Sequence, residues 1–241
     1  MESQNYANNT GSPAGAFKPR GGHNFFGTPL TAVCAFAALA LCCRVSRAQD
    51  SGIMARDANG AFYSASSRYN GRNEYVHISK MGRGGNMLWE ADYDTGTDEK
   101  PVGMVANSVG LVILASTRAG DVRSFSLIYY SFDNFLVREV PGNVPGAVPV
   151  AVASDKQDNV YIGLTTKKAG RSRAELWKLD PYGAVFWSEI YAPSNNAYAR
   201  DIQIIYNGDI AFGVTESGGS NAFGTYEPLA LIYNANGARL R

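Results

Sequence analysis

Histidine and cysteine are scarce in this chain of 241 residues: two histidines, His23 and His77, and three cysteines, Cys34, Cys42 and Cys43. The cysteines all fall in an amino-terminal stretch with the marks of a targeting segment, so the rest of the chain holds none. That excludes a disulfide scaffold, a thiolate zinc site and a cysteine nucleophile. An excess of one charge is missing as well. Lysine plus arginine number 22 against 21 acids, a net charge of +1, which gives no electrostatic footprint for nucleic acid. At 45% hydrophobic and 18% charged residues, the composition is not that of a core-poor, disordered chain. What the chain has in quantity is glycine (26), tyrosine (14) and phenylalanine (11), a mixture that suits short strands and tight turns better than long helices.

Residues 1–27 are polar, rich in glycine and asparagine and without hydrophobic periodicity, which reads as a disordered n-region containing Lys18 and Arg20. An uncharged apolar run follows at 28–43, TPLTAVCAFAALALCC. As a helix it would cover about 24 Å, short of the roughly 30 Å hydrocarbon core of a bilayer. Ser46 and Ala48 supply the small residues of a signal-peptidase site. Residues 28–48 therefore read as a secretory signal cut after Ala48. A retained anchor through 28–43 is the alternative, with Arg44 and Arg47 balancing Lys18 and Arg20 so that no orientation is favoured. A lipoprotein signal is disfavoured by Leu41 before Cys42, and a buried amphipathic helix by the lack of any polar face. The expected location of 49–241 is secreted or extracytoplasmic, or membrane-anchored in the alternative.

An internal repeat organises the remainder. Turn residues Gly85, Asn134 and Gly183 are spaced by 49, and so are Gly110, Asn159 and Gly208, each ahead of an apolar strand. A further strand of the second kind follows Gly60, and a further turn of the first kind stands at Gly237. In the third unit, Glu175–Leu179, 184–191, 202–206 and 209–215 read as four strands joined by the turns Asp180-Pro-Tyr-Gly183 and Asn207-Gly208. Four antiparallel strands per repeat of this length is the pattern of a β-propeller blade.

The units carry K-x-x-x-x-G-x-x-x-W-x-x-x-Y, with Lys80, Gly85, Trp89 and Tyr93 in the first and Lys178, Gly183, Trp187 and Tyr191 in the third. Gly163 with Thr165, and Gly213 with Thr215, fall in the closing strand. This pattern resembles the bacterial-type seven-bladed β-propeller repeat family over residues 54–241. The second unit departs from it with Tyr129, Asn134 and Arg138. The resemblance implies a propeller fold outside the cytoplasm and transfers no site. The quinone-dependent dehydrogenase propellers share a similar lysine, glycine and tryptophan pattern, but nothing in this chain supplies their cofactor pocket.

The expected architecture is all-β: repeats near 75–123, 124–173 and 174–222, and a fourth blade split between 54–68 and 227–241, closing a four-bladed ring whose paired ends leave no exposed edge. An incomplete ring would instead require a second copy. Candidate site residues each have a plainer reading. His77 lies in a strand, and no G-x-S-x-G motif supports a serine triad. Glu90, Asp92, Asp94, Asp98 and Glu99 imitate a calcium loop, yet the twelfth position from Asp92 is Gly103, not the bidentate glutamate. Lys167, Lys168, Arg171 and Arg173 form a basic hairpin tip that suits an acidic glycan or a phospholipid head group as well as plain solvation. Trp89, Trp177 and Trp187 suit packing between blades. Gly82, Gly84 and Gly85 lie in a strand–strand turn rather than a phosphate loop. No catalytic, cofactor or metal residue is assigned. The expected function is a secreted or surface-exposed binding scaffold for a protein or carbohydrate partner; the alternative is an extracytoplasmic hydrolase or lyase with a carboxylate and tyrosine site at the central mouth.

Overall fold

Runs rich in β-branched and aromatic residues between glycine, asparagine and aspartate turns form antiparallel strands throughout. The computed structural model describes residues 53–217 and 226–241; the expected signal segment at 28–48 lies outside them. Four sheets follow one another along the chain. Sheet 1 contains β1 (Ile53–Arg56), β2 (Phe62–Tyr69), β3 (Glu74–Met81) and β4 (Met87–Tyr93), and sheet 2 contains β5 (Asp98–Ala106), β6 (Leu111–Ala119), β7 (Val122–Tyr130) and β8 (Leu136–Gly142). Sheet 3 is built from β9 (Val148–Ser154), β10 (Val160–Lys168), β11 (Arg171–Leu179) and β12 (Val185–Tyr191). Sheet 4 has β13 (Ala197–Ile204), β14 (Ile210–Ser217) and β15 (Tyr226–Tyr233), with a further bridge from Tyr233 to Arg239. Each sheet is a meander in which consecutive strands pair.

This grouping corrects the expected repeat frame. The strands fall where the turn residues put them, but residues 62–69 pair with β1 and β3, not with the carboxyl-terminal strands. The split blade is therefore absent, and the frames beginning at 75, 124 and 174 cut through the middle of sheets 1 to 3. The physical reason is the short hairpin at Asn70-Gly71, where the Asn70 side-chain oxygen accepts from the N–H groups of Arg72 and Asn73. Its closure brings β3 onto β2 with very little loop entropy to overcome.

At the end of the sheets where β1 meets β2 and β3 meets β4, the chain reverses through tight turns that share one chemistry. The first residue accepts hydrogen bonds from backbone N–H groups two and four residues on: Asp155 from Gln157 and Asn159, Asp180 from Tyr182 and Ala184, Asn234 from Asn236 and Ala238. The fourth residue then takes a positive φ, 91° at Gly183, with Asn134 and Asp158 filling the same place at 71° and 64°. The side chains of Asn and Asp tolerate that conformation better than most. These positions also adjust the alignment of the repeat: the left-handed residue is Gly60, Asp158 or Gly208, so Asn159 stands one residue beyond it, whereas in the shorter turn of sheet 2 Gly110 itself carries the positive φ, 151°.

Successive sheets pack face to face. Tyr63, Val76 and Ile78 of sheet 1 meet Leu111, Ile113 and Ile128 of sheet 2. On the other side of sheet 2, Val112, Leu114 and Leu127 meet Val160, Ile162 and Leu164, and beyond them Tyr161 and Leu176 meet Phe212, Val214 and Leu231. The first strands of the sheets lie side by side, β1 on β5, β5 on β9 and β9 on β13. Among the described residues no comparable packing joins β13 to β1, so the ring in which head and tail pair is not found.

Between sheets, a polar clasp recurs. Lys80 Nζ and Trp89 Nε1 both donate to the Phe132 carbonyl in a turn of sheet 2, at 2.9 and 3.1 Å. Lys178 Nζ and Trp187 Nε1 donate in the same way to the Ala235 carbonyl beside sheet 4, at 2.9 and 3.2 Å. Beneath each lysine lies a tyrosine ring, Tyr63 at 5.3 Å and Tyr161 at 5.5 Å, whose hydroxyl donates to a turn aspartate, Asp57 or Asp155. Sheet 2 has no such lysine and tryptophan. There Arg138 donates to the Tyr182 carbonyl at 2.6 Å, while the buried Tyr129 hydroxyl has no partner and burial pushes its pKa up to about 12.

Two tests follow from the clasp. Lys80→Met and Trp89→Phe each leave the Phe132 carbonyl one donor, so each lowers the unfolding free energy by about 1 kcal/mol. The double variant leaves the carbonyl with neither, so its loss exceeds the sum of the singles in a urea-unfolding double-mutant cycle; strict additivity would show that the two donors do not share one acceptor's energetics. The second test concerns acid. Burial alone would raise the pKa of Asp57, but the Ala61 N–H, the Tyr63 hydroxyl and Lys80 outweigh it and hold the carboxyl below its ordinary value of 3.8. A depressed folded-state pKa adds stability that is present above the unfolded value and lost as pH falls through the folded one. The melting temperature of the wild type therefore drops below about pH 4 more steeply than that of Asp57→Asn; parallel curves would refute the assignment.

Candidate functional site

The meanders give the molecule two chemically different ends. The tight-turn end carries Asp57, Asp133, Asp155, Asp158, Asp180 and Asp209. At the other end, where β2–β3, β6–β7 and β10–β11 reverse, the hairpins carry Arg68 and Arg72, Arg118 and Arg123, then Lys167, Lys168, Arg171 and Arg173. The connections between sheets also lie at this hairpin end, and each sheet's first strand starts there.

Two clefts open on the hairpin end, of about 300 and about 350 Å³. The first is lined by Ser116, Thr117, Arg118 and Arg123 from β6 and β7, with Glu74 of β3, Asp98 and Lys100 of β5, and Val148 and Pro149 of β9. The second is lined by Thr165, Thr166 and Lys167 of β10, Ser172 of β11, Val148 and Val150 of β9, and Tyr198 and Arg200 of β13. They are the same feature repeated: Ser116-Thr117-Arg118 and Thr165-Thr166-Lys167 are 49 residues apart, and Val148 borders both clefts.

The electrostatics of this end are unbalanced. Among the described residues, ion pairs join His77 to Glu90 and Asp92, and Lys100 to Glu74 at 2.6 Å. Arg118, Arg123, Lys167, Lys168, Arg171, Arg173 and Arg200 are in none of them. Arg118 Nε donates to the Gly120 carbonyl and Arg200 Nε to the Thr215 hydroxyl, over the Tyr198 ring at 5.9 Å. The acids nearest the first cleft are occupied: Glu74 by Lys100, and Asp98 by the Glu74 N–H at 3.0 Å. Some hydroxyls are structural, since Thr165 Oγ1 accepts from the Ala199 N–H at 3.0 Å and Thr166 donates to Glu175. Among the described residues, no hydrogen-bond partner is found for Thr117 Oγ1.

The other residues singled out in the sequence do not come together. His77 Nδ1 meets Asp92 at 2.6 Å, and its Nε2 lies 3.4 Å from Glu90 with no hydrogen-bond partner, so no serine hydroxyl reaches it. Asp94 accepts from Asn70, Asn73 and the Gly96 N–H, and the Asn73 side chain, its largest influence, helps hold its pKa below the usual carboxylate range. Glu99, fully buried, accepts from the hydroxyls of Thr95 and Thr97. Asp92, Asp94 and Asp98 are each engaged by local groups, while one carboxylate oxygen of Glu99 is buried without a hydrogen-bond partner, and among the described residues no group of three metal-ligating side chains converges. Trp89 and Trp187 are the clasp residues, and Trp177 packs edge-on to Phe125 at 5.9 Å between sheets 2 and 3. Gly82, Gly84 and Gly85 form the β3–β4 turn, its Gly85 N–H donating to the Gly82 carbonyl. Two sequence candidates border a cleft: Asp98 of the calcium-like run in the first and the basic tip at Lys167–Arg173 in the second. Arg118, Arg123 and Arg200 were missed because they are spread over three elements; the spacing of 49 between the two hydroxyl–hydroxyl–cation triplets was the available signal.

No family model and no curated protein matches the chain.

The two kinds of hydroxyl can be told apart. Thr165→Val strips the Ala199 N–H of its acceptor and destabilises by about 1–2 kcal/mol, whereas Thr117→Val leaves the chemical-denaturation midpoint within experimental error. Equal losses at both sites would mean that Thr117 is structural as well.

Proposed function

We propose that the chain is a propeller-type binding scaffold working outside the cytoplasm, whose hairpin end takes a protein or carbohydrate partner. The four sheets act as blades stacked side by side through their first strands, and the clefts between those strands correspond to the mouth of the propeller. The observation that carries this reading is the recurrence of one cleft in two successive sheet interfaces at the same end. Neighbouring copies of a pocket give a partner several weak contacts at fixed spacing, so their effects multiply. Export is expected from the apolar run at 28–43.

The scaffold reading is tested with Val148, the half-exposed residue that both clefts share. Val148→Asp places a charge in each cleft without entering a core, and a screen of glycans and exported proteins against wild type and variant should find ligands whose affinity falls by about tenfold or more in the variant. A set of ligands bound equally by both proteins would place binding elsewhere and overturn the assignment to this end.

A further inference from the structure

We infer that the paired clefts at the hairpin end form one groove for an anionic polysaccharide, a carboxylated or sulfated glycan lying across sheets 2, 3 and 4. The inference rests on the scaffold reading above and names the ligand class of the same site.

Charge comes first. Arg118, Arg123, Lys167 and Arg200 line the two clefts without a carboxylate partner, and Lys168, Arg171 and Arg173 extend them along the β10–β11 tip. Against the acids of this end, Glu74 and Asp98 in the first cleft and Asp121 at the β6–β7 tip, these seven cations are in excess, and a local excess of one sign raises the potential at a face and steers anions to it. A compact anion such as free phosphate would fill a single cleft; two equivalent clefts sharing Val148 suit a ligand that repeats. Stacked sheets are about 10 Å apart, a distance on the order of two linked pyranose rings.

The lining separates a glycan from other polyanions. Beside the cations stand hydroxyls with free capacity, Thr117 and the Thr165 proton, matched to sugar hydroxyls. The floor of Ala147, Val148, Pro149 and Val150 offers modest apolar contact for the C–H faces of a sugar ring, and Tyr198 presents a ring at the edge. A lipid surface would need large apolar side chains beside the cations. The exposed pairs Met87–Leu88, Leu136–Val137 and Val185–Phe186 begin the outer strands next to the tight turns, at the opposite end, leaving Val122 as the exposed aliphatic residue at the β6–β7 tip. A nucleic acid would call for a row of aromatic side chains on which bases stack; among the described residues the clefts are lined by one aromatic ring, Tyr198, with Tyr226 edge-on to it at 5.9 Å.

The test uses the full chain and four immobilised probes: polygalacturonate, dextran sulfate, neutral dextran and duplex DNA, together with vesicles of phosphatidylcholine containing phosphatidylserine. The variants are Arg123→Gln with Lys167→Gln, one cation from each cleft, and Lys156→Gln at the tight-turn end as control. All three positions are exposed, and unchanged thermal melting verifies folding. The inference expects binding to one or both acidic polysaccharides, falling with salt, weakened about tenfold or more by the double substitution and unaffected by Lys156→Gln. Equal weakening by Lys156→Gln, or tighter binding to DNA than to the polysaccharides, would mean diffuse charge attraction and overturn it. Binding to the vesicles alone would replace the glycan with a lipid. Capture of neutral dextran or of a protein, with the acidic glycans ignored and Val148→Asp still disruptive, would overturn this inference while leaving the scaffold reading intact.

Discussion

The structure depends on one arrangement: a carbonyl in the turn of one sheet receives two N–H donors from the sheet before it. Flat apolar faces can slide over one another, because the hydrophobic effect rewards area without direction. The Lys80 and Trp89 bonds to Phe132, and those of Lys178 and Trp187 to Ala235, fix the position of one sheet against the next. The lysine lies over a tyrosine whose hydroxyl holds the turn aspartate, so intrasheet turn, intersheet packing and clasp form one connected network. Where the network is altered, at Tyr129 and Arg138, a guanidinium reaches a neighbouring carbonyl and maintains the contact. The glycine at the fourth turn position takes part too: a Cβ on Gly183 would come within 2.6 Å of Val140, and one on Gly237 within 3.0 Å of Trp187.

This arrangement is why the proposed binding site falls at the hairpin end. The tight turns are committed: their aspartates and asparagines cap backbone groups, and the Phe132 and Ala235 carbonyls receive the preceding sheet's donors. Changing them would disturb both turn and packing. The β2–β3 hairpin is capped in the same way by Asn70, but the β10–β11 hairpin carries its cations without such a duty, and its side chains can be chosen for a ligand.

Strand positions and turns were legible because each is encoded locally, by an Asx residue, a glycine or asparagine three residues later, and flanking apolar runs. Their assignment to sheets was not, because every hairpin in a meander resembles every other, and a repeat read from sequence has no intrinsic starting point. Asn70-Gly71 was the residue pair that could have set the frame. The packing role of Trp89 and Trp187 was legible from their spacing, whereas the shared acceptor was not, since Phe132 and Ala235 contribute only a backbone atom. Of the site, the cluster at Lys167–Arg173 is contiguous and visible. Arg123 and Arg200 join it only once β7 and β13 are placed beside β10.

Among the described residues, sheet 1 differs from the others on the face turned away from sheet 2. The positions that in sheets 2, 3 and 4 receive the preceding sheet are Leu111, Ile113 and Ala115; Val160, Ile162 and Leu164; Ile210, Phe212 and Val214. Judged by strand register, the corresponding residues of β2 are Phe62, Ser64 and Ser66, paired across to Met81, Ser79 and His77. Hydroxyls and an imidazole on such a face cannot be buried under an apolar sheet without loss of their hydrogen bonds. They satisfy one another instead, Ser64 with Ser79 at 2.7 Å and His77 with Asp92. Ser79 and His77 are buried and Ser64 and Ser66 half-buried, so this face is polar where the corresponding faces of sheets 2, 3 and 4 are apolar, and the clefts arise at the interfaces whose facing surfaces are apolar at the centre and polar at the hairpin rim.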